Sequence, residues 1–262
     1  MNRVNRTFAH LKKEGRCGLV AYVTCGDPGV DATVEIVLAL AEAGADAVEL
    51  GIPFSDPIAD GPVIQAASWR ALERGTTIDD VFAVARRVRA KSDVALIAFS
   101  YLNPIMRYEV DRFAANAAAA GIDSLLVTDL PPESAAGARQ ALKSRGLGIV
   151  FLLAPTSSDA RVRLVDRSSD GFIYYVSTTG VTGARRDLDA KLVTRLEAIR
   201  GQVSKPLAVG FGISKREHYE ALEDKCEAVV VGSAIVRAIA DGEPSGAAER
   251  AAAVVRGILG RG

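Results

Sequence analysis

The sequence predicts a (β/α)8 barrel, and three observations lead there. Eight short runs rich in β-forming residues alternate with longer helical patterns across almost all of the 262 residues, close to the length at which this fold closes. The first run is followed by Gly26-Asp27-Pro28-Gly29. An open, doubly wound sheet, the competing fold class, would hold its ligand on a G-x-G-x-x-G turn at that point. No low-complexity linker interrupts the chain, so residues 1–262 are expected to form a single barrel domain.

The elements follow in order. A short amphipathic helix over 2–14 precedes the first strand and is expected to plug the bottom of the barrel. Strands are expected at 19–24, 47–50, 95–99, 124–127, 148–153, 172–176, 207–209 and 228–231. Between them apolar residues recur at spacings of three and four, as in Val34, Val37, Leu38 and Ala41 or Val110, Phe113, Ala114 and Ala117. That spacing marks a helix with one buried face. Gly44, Gly121 and Gly146 stand where helices should stop, since a left-handed closing residue favours glycine. An extra helix is expected around 62–74, after the second strand.

Composition narrows the functional classes. Hydrophobic residues at 49% and charged residues at 24% fit a soluble α/β domain. Lysine plus arginine equals aspartate plus glutamate at 32 each, so no long-range field draws the chain to nucleic acid or a membrane surface. The basic cluster Arg86-Arg87-Val88-Arg89-Ala90-Lys91 reads as a solvated helix end that complements the helix dipole. Cys17, Cys25 and Cys226 lack metal or redox spacing, which predicts reduced thiols in a cytoplasm. His10 and His218 stand far from any acidic cluster, so no metal site is expected. The polar N-terminus reads as leading into an amphipathic helix and is not expected to be a signal peptide, and no apolar run approaches the roughly 20 residues that span a bilayer.

The candidate chemistry begins at the second strand. The run from Ala45 to Leu50 is apolar except for Asp46 and one acid at its C-terminal end, Glu49. A strand interior has no structural use for a carboxylate, because burying an unpaired charge is costly and shifts its pKa instead. The loop that follows is stiffened by Pro53 and Pro57, with Pro62 just beyond, and it delivers a second acid, Asp60. Two acids, one on a strand end and one on its loop, suit proton transfer on a small molecule. Turn formation is the alternative role for Asp60 before Gly61, for Asp56 before Pro57, and for Asp129 before Leu130-Pro131-Pro132.

In a barrel the loops at the C-terminal strand ends face one another and build the site. Glycine-rich segments collect there: 177–183 after the sixth strand, Gly210-Phe211-Gly212-Ile213-Ser214 after the seventh and Gly232-Ser233-Ala234 after the eighth. The last two suit a phosphate, with backbone N–H groups and the positive end of a helix opening at Ser233 aimed at the anion. Tyr22, Phe99, Leu126, Tyr174 and Phe211, near strand ends, are candidates to line a flat apolar pocket. Trp69 reads as packing, and Arg185 and Arg186 as solvated.

The segment Val48-Glu49-Leu50-Gly51-Ile52-Pro53-Phe54-Ser55-Asp56-Pro57-Ile58-Ala59-Asp60-Gly61-Pro62 closely resembles the signature of the tryptophan synthase α-subunit family. The likeness extends through Tyr101, Asn103-Pro104, Asp129-Leu130-Pro131, Gly180-Val181-Thr182-Gly183 and Gly210-Phe211-Gly212 to Gly232-Ser233. The resemblance implies a (β/α)8 barrel that cleaves indole-3-glycerol phosphate reversibly to indole and glyceraldehyde 3-phosphate. It implies Glu49 as the general acid/base and Asp60 as the catalytic aspartate. The family's phosphate ligands fall on Gly183, Gly212, Gly232 and Ser233, and its indole pocket on Tyr22, Phe99, Leu126, Thr128, Tyr174 and Phe211. Thr178 stands where some members carry an arginine, and Phe99 and Thr128 replace smaller or aliphatic residues of some members.

The resemblance also implies a partner, a β subunit that carries pyridoxal phosphate, receives indole through a tunnel and assembles as an α2β2 complex; this chain itself is expected to hold no cofactor. Pro53, Asp56, Pro57 and Asn103 would face that partner from the rim. The residues fit the reaction on their own terms. Retro-aldol cleavage places a proton on indole C3 and removes one from the glycerol hydroxyl, and one carboxyl group with a pKa near neutrality can do both in turn. A stand-alone lyase with the same site and a non-catalytic phosphate-binding barrel are the alternatives. A Schiff-base aldolase is disfavoured, because no lysine ends a predicted strand.

Overall fold

The computed structural model describes residues 2–176, 190–210 and 212–261. Along the chain come α1 (Arg3–Glu14), β1 (Gly18–Thr24), α2 (Val30–Ala43), β2 (Ala47–Gly51), α3 (Pro62–Glu73), α4 (Ile78–Arg89) and β3 (Ala95–Ser100). Then follow α5 (Leu102–Tyr108), α6 (Val110–Ala120), β4 (Ser124–Val127), α7 (Ala136–Lys143), β5 (Gly148–Val150), β6 (Leu152–Leu153), α8 (Asp159–Ser168) and β7 (Ile173–Val176). The chain ends with α9 (Ala190–Arg200), β8 (Leu207–Gly210), α10 (Arg216–Glu220), β9 (Ala228–Val231), α11 (Ser233–Ala240) and α12 (Ala247–Leu259). No helix among the described residues is long and apolar enough to cross a membrane.

All strand pairs are parallel, in the order β5-β4-β3-β2-β1-β9-β8-β7-β6. The two ends of that order, β5 and β6, are consecutive in sequence and are separated only by Phe151. They are two halves of one stave, one pairing with β4 and the other with β7, and so the ring closes with eight staves. The predicted strand at 148–153 is therefore interrupted at Phe151, whose carbonyl still accepts from the Tyr174 amide at 3.1 Å.

Period-two alternation sorts each strand between two cores. Inward residues such as Val20, Ala47, Ala95, Ile97, Leu126, Val150, Ala208, Ala228 and Val230 fill the barrel together with Val4, Phe8 and Leu11 of α1. Phe8 stacks on Phe172 with centroids 4.8 Å apart, and α1 is the plug expected from the sequence. Outward residues, among them Leu19, Ala21, Val48, Leu50, Leu96 and Val229, pack under the ring of helices. In β2 the alternation puts Val48 and Leu50 outside with Ala47 inside, so Glu49 must point into the barrel.

Three expectations need correction. Arg89 is not solvated: its guanidinium reaches the carbonyls of Ser92, Val94 and Gly121 and the buried Asp123 carboxylate at 3.2 Å. Asp123 also accepts from the backbone amides of Arg3 and Leu96, tying α1, α4 and β3 together beneath the barrel. Trp69, expected to pack, is 60% exposed on α3, because Ala67, Ser68 and Ala71 form that helix's buried face. Gly146 adopts a left-handed conformation but lies beyond Ser144, which closes α7.

Candidate active site

Glu49 sits opposite Tyr22 of β1 and Ile97 of β3 in the strand register. It is fully buried, and neither carboxylate oxygen has a hydrogen-bond partner among the described residues. Burial alone pushes its pKa up to about 8, since the charged form loses hydration and gains no compensating donor. A buried, unpartnered carboxyl is unstable as architecture and useful as a proton carrier.

Asp60 is carried by the proline-rich loop after β2. The loop is held by its own backbone, with the Ile58 amide on the Asp56 carbonyl at 2.9 Å and the Asp60 amide on the Pro57 carbonyl at 3.0 Å. Gln65 in the first turn of α3 donates to the Asp60 carbonyl at 2.8 Å. The Asp60 side chain is half-buried; burial raises its pKa to about 6 against the opposing effect of a hydrogen bond from Tyr101. The two acids are thus displaced to opposite sides of pH 7.

Two phenols lie close enough to feel both acids. Burial drives the ionisation of Tyr22 and Tyr174 well above the usual tyrosine value, and negative charge on Asp60 and Glu49 adds to the rise for both. Room for these rings comes from missing side chains: a Cβ on Gly51 would lie 2.3 Å from the Tyr22 hydroxyl, and one on Gly210 would lie 2.7 Å from that of Tyr174. Phe99 meets Tyr22 edge-on at 5.2 Å, and Leu126 lies beside Phe99 in the register, fully buried. Val63 and Ile64 of α3 pack on the same cluster; neither stood out in the sequence, because helical apolar residues read as core. Thr128 is half-buried at the end of β4.

On the same C-terminal rim, Gly212 is exposed with φ of +63° and open space on its side-chain side. Gly232 is the N-cap of α11 and offers no side-chain cap, and Ser233 is the first residue of that helix. Gly183, Phe211 and Thr178 lie outside the described residues, as do Arg185 and Arg186. Asp129, ambiguous in the sequence, accepts from the Leu102 amide at 2.7 Å and so caps α5 from the next stave. At the rim Asp56 and Asn103 are exposed and Pro57 is half-buried, whereas Pro53 is buried at the root of its loop and offers no surface. A groove of about 530 Å³ lies between this loop and α3, with Phe54, Pro57, Gln65 and Trp69 among its walls; Glu49 and Asp60 do not line it.

A closed parallel barrel with two carboxyl groups of raised pKa near the C-terminal ends of its strands, the face where barrel enzymes build their sites, places the chain in the class of barrel enzymes. Sequence relatives narrow this. Residues 8–258 match the family model described as tryptophan synthase alpha chain. The tryptophan synthase alpha chain of Solibacter usitatus is 53% identical over 249 residues, covering 95% of this chain and 93% of the relative. The crystal structure of tryptophan synthase subunit alpha from Legionella pneumophila superposes with a TM-score of 0.89 at 35% identity, covering 99% of both chains. A chain from the tryptophan synthase a2b2 complex of Pyrococcus furiosus gives 0.88 at 40% identity, over 93% of this chain and 98% of that one. The chain belongs to the tryptophan synthase alpha chain family, whose members are lyases that cleave indole-3-glycerol phosphate.

Proposed function

We propose that this chain, as one barrel domain, cleaves indole-3-glycerol phosphate by passing one proton in and one proton out through Glu49. Asp60 is the anion that steadies the charged ring between the two transfers. The observation that carries this reading is the pair of displaced carboxyl groups. With a pKa of about 8 Glu49 is mostly protonated at pH 7, and with a pKa of about 6 Asp60 is mostly ionised.

Glu49 gives its proton to indole C3, and the ring becomes cationic with its N–H toward the Asp60 carboxylate. The Glu49 carboxylate, now charged in an apolar site, takes the proton of the hydroxyl beside the scissile bond. The O–H electrons form the carbonyl of glyceraldehyde 3-phosphate, the C3–carbon bond breaks, and its electron pair returns to the ring as indole leaves. Tyr22, Phe99, Leu126, Thr128, Tyr174 and Phe211 enclose the ring. Gly183, Gly212, Gly232 and Ser233 bind the phosphate, supported by the uncapped start of α11. Anchoring that end orients the reacting bond, which is the other large contribution to rate.

The reading includes a β-subunit partner, with pyridoxal phosphate held by the partner and not by this chain. Asp56, Pro57 and Asn103 form the docking rim, which Pro53 shapes from below. Its support is that two large apolar side chains on the same two segments, Ile58 and Met106, are 86% and 58% exposed, where a docked partner would cover them. A cytoplasmic setting is part of the reading and is supported by three free, buried cysteines. The test is Glu49→Gln: turnover should fall about 10²–10⁴-fold while affinity for a glycerol-phosphate analogue stays the same. Retained turnover rejects Glu49 as the proton carrier.

A further inference from the structure

Gly26-Asp27-Pro28-Gly29 follows β1 on the rim that carries the acids, and the proposed chemistry makes no use of it. Asp27 is buried, at 4% exposure, and α3 holds it. Arg70 donates to both carboxylate oxygens, Nε to Oδ1 at 2.9 Å and Nη2 to Oδ2 at 2.6 Å. One turn further on, Arg74 lies 3.9 Å from the same carboxylate and donates to the Arg70 carbonyl at 2.9 Å. A two-bond fork of this kind fixes direction as well as distance. Thr76, just past the helix, lies so close to Gly26 that a Cβ there has no room. The second half of α3 is therefore fastened to the loop after β1.

The first turn of the same helix holds Asp60. The Gln65 side chain donates to the Asp60 carbonyl at 2.8 Å, and the Gln65 backbone amide donates to the Gly61 carbonyl at 3.0 Å. The helix is 12 residues long, a stiff rod of roughly 18 Å. Its buried face consists of Ala67, Ser68 and Ala71. Those side chains are small, and apolar stabilisation scales with the area buried, so the polar ties at the two ends decide where the rod sits. Val63 and Ile64 are carried on it and pack on Tyr22 and Phe99.

We propose that Asp27 and Arg70 are positioning residues for the cleavage reaction: their ion pair fastens the second half of α3, and the helix passes that placement through Gln65 to Asp60. The inference rests on the catalytic reading of Asp60 given above. Loss of either partner frees the rod to pivot on its first turn, and Asp60 then leaves its place beside the substrate ring. A misplacement of about 1 Å is enough to cost on the order of 10²-fold in rate. Gly212 and Gly232 follow β8 and β9 and stay where they are, so the phosphate end of the substrate remains held.

The experiment uses the complete chain and its single tryptophan, Trp69, which adjoins Arg70 on α3 and reports motion of that helix. Asp27→Asn should lower kcat for indole-3-glycerol phosphate cleavage by about 10–100-fold and change KM by less than about twofold. One glycerol 3-phosphate should still bind per chain, and the fluorescence anisotropy of Trp69 should fall. Arg70→Lys keeps the charge but not the fork, and should show the same pattern with a smaller loss of kcat. Arg70→Gln combined with Asp27→Asn should cost no more than the worse single change. Unchanged kcat in Asp27→Asn overturns the proposal. So does a loss confined to KM or to the fraction of chains that bind glycerol 3-phosphate, which is the mark of lost stability alone. A fall in kcat with unaltered Trp69 anisotropy overturns it as well, because the helix has then not moved. If Asp27→Asn does not fold, Arg70→Lys decides by the same readouts. Asp60→Asn separates the two levels: full turnover there rejects the catalytic reading of Asp60, whereas lost turnover there beside unchanged kcat in Asp27→Asn rejects the ion-pair role alone.

Discussion

Holding Glu49 buried, without a partner among the described residues, costs the fold stability at neutral pH. Its pKa is about 8 in the folded chain and 4.5 in the reference state, so the native protein binds more protons between those values. The stabilising effect of that raised pKa is complete below about pH 4.5 and is lost as pH rises through 8. At pH 7 the neutral native carboxyl is set against an ionised unfolded one, a penalty on the order of 3 kcal/mol. Glu49→Gln removes the titration and should stabilise the chain by about 2–3 kcal/mol at pH 7, with most of the gain gone at pH 5. Urea denaturation at the two pH values reads this directly; an equal effect at both would show that Glu49 is not held neutral by burial.

The junction of α5 and α6 bears on the docking rim. Glu109 closes one helix and opens the next with φ of 72° and ψ of 122°, a conformation that disfavours any residue with a Cβ. The helices hold it there: its amide donates to the Met106 carbonyl at 3.1 Å and its carbonyl accepts from the Phe113 amide at 2.8 Å. Neighbouring side chains add a second tie, with Asn116 donating to the Tyr108 hydroxyl at 2.7 Å. Glu109→Gly should relieve the strain and stabilise the chain by about 1 kcal/mol, read as a higher Tm with unaltered cleavage. A drop in Tm would mean that the exposed Glu109 side chain contributes more than its backbone costs.

At the scale of the whole molecule, the mouth of the barrel serves two surfaces. Its interior holds the acids, while the segments that carry Asp60 and Tyr101 also present Ile58 and Met106 to the outside. On the function proposed above, loop and helix would be shared between proton chemistry and docking. Met106→Glu places a charge on the proposed contact, away from Glu49 and Asp60. It should weaken binding of the β subunit by at least about tenfold, measured by titration calorimetry. Unchanged affinity would remove α5 from the interface.

Much of this was legible in the sequence because it depends on short-range pattern. Alternation in 45–50 turns Glu49 inward wherever Val48 and Leu50 are buried, and the proline-rich loop brings Asp60 after it within a few residues. The eight staves and the plugging helix follow from periodicity of the same kind. What local pattern does not encode is which distant residues come together. Cys17 and Cys226 lack any pairing motif, yet the β1–β9 register makes their thiols neighbours. Arg89 looks solvated until Asp123 arrives from another stave, and Asp129 reads as a turn former until the Leu102 amide reaches it. The residue types at the site were therefore determined by the sequence. Their protonation was decided by the tertiary structure, because desolvation and hydrogen bonding are imposed by groups that only folding brings within reach.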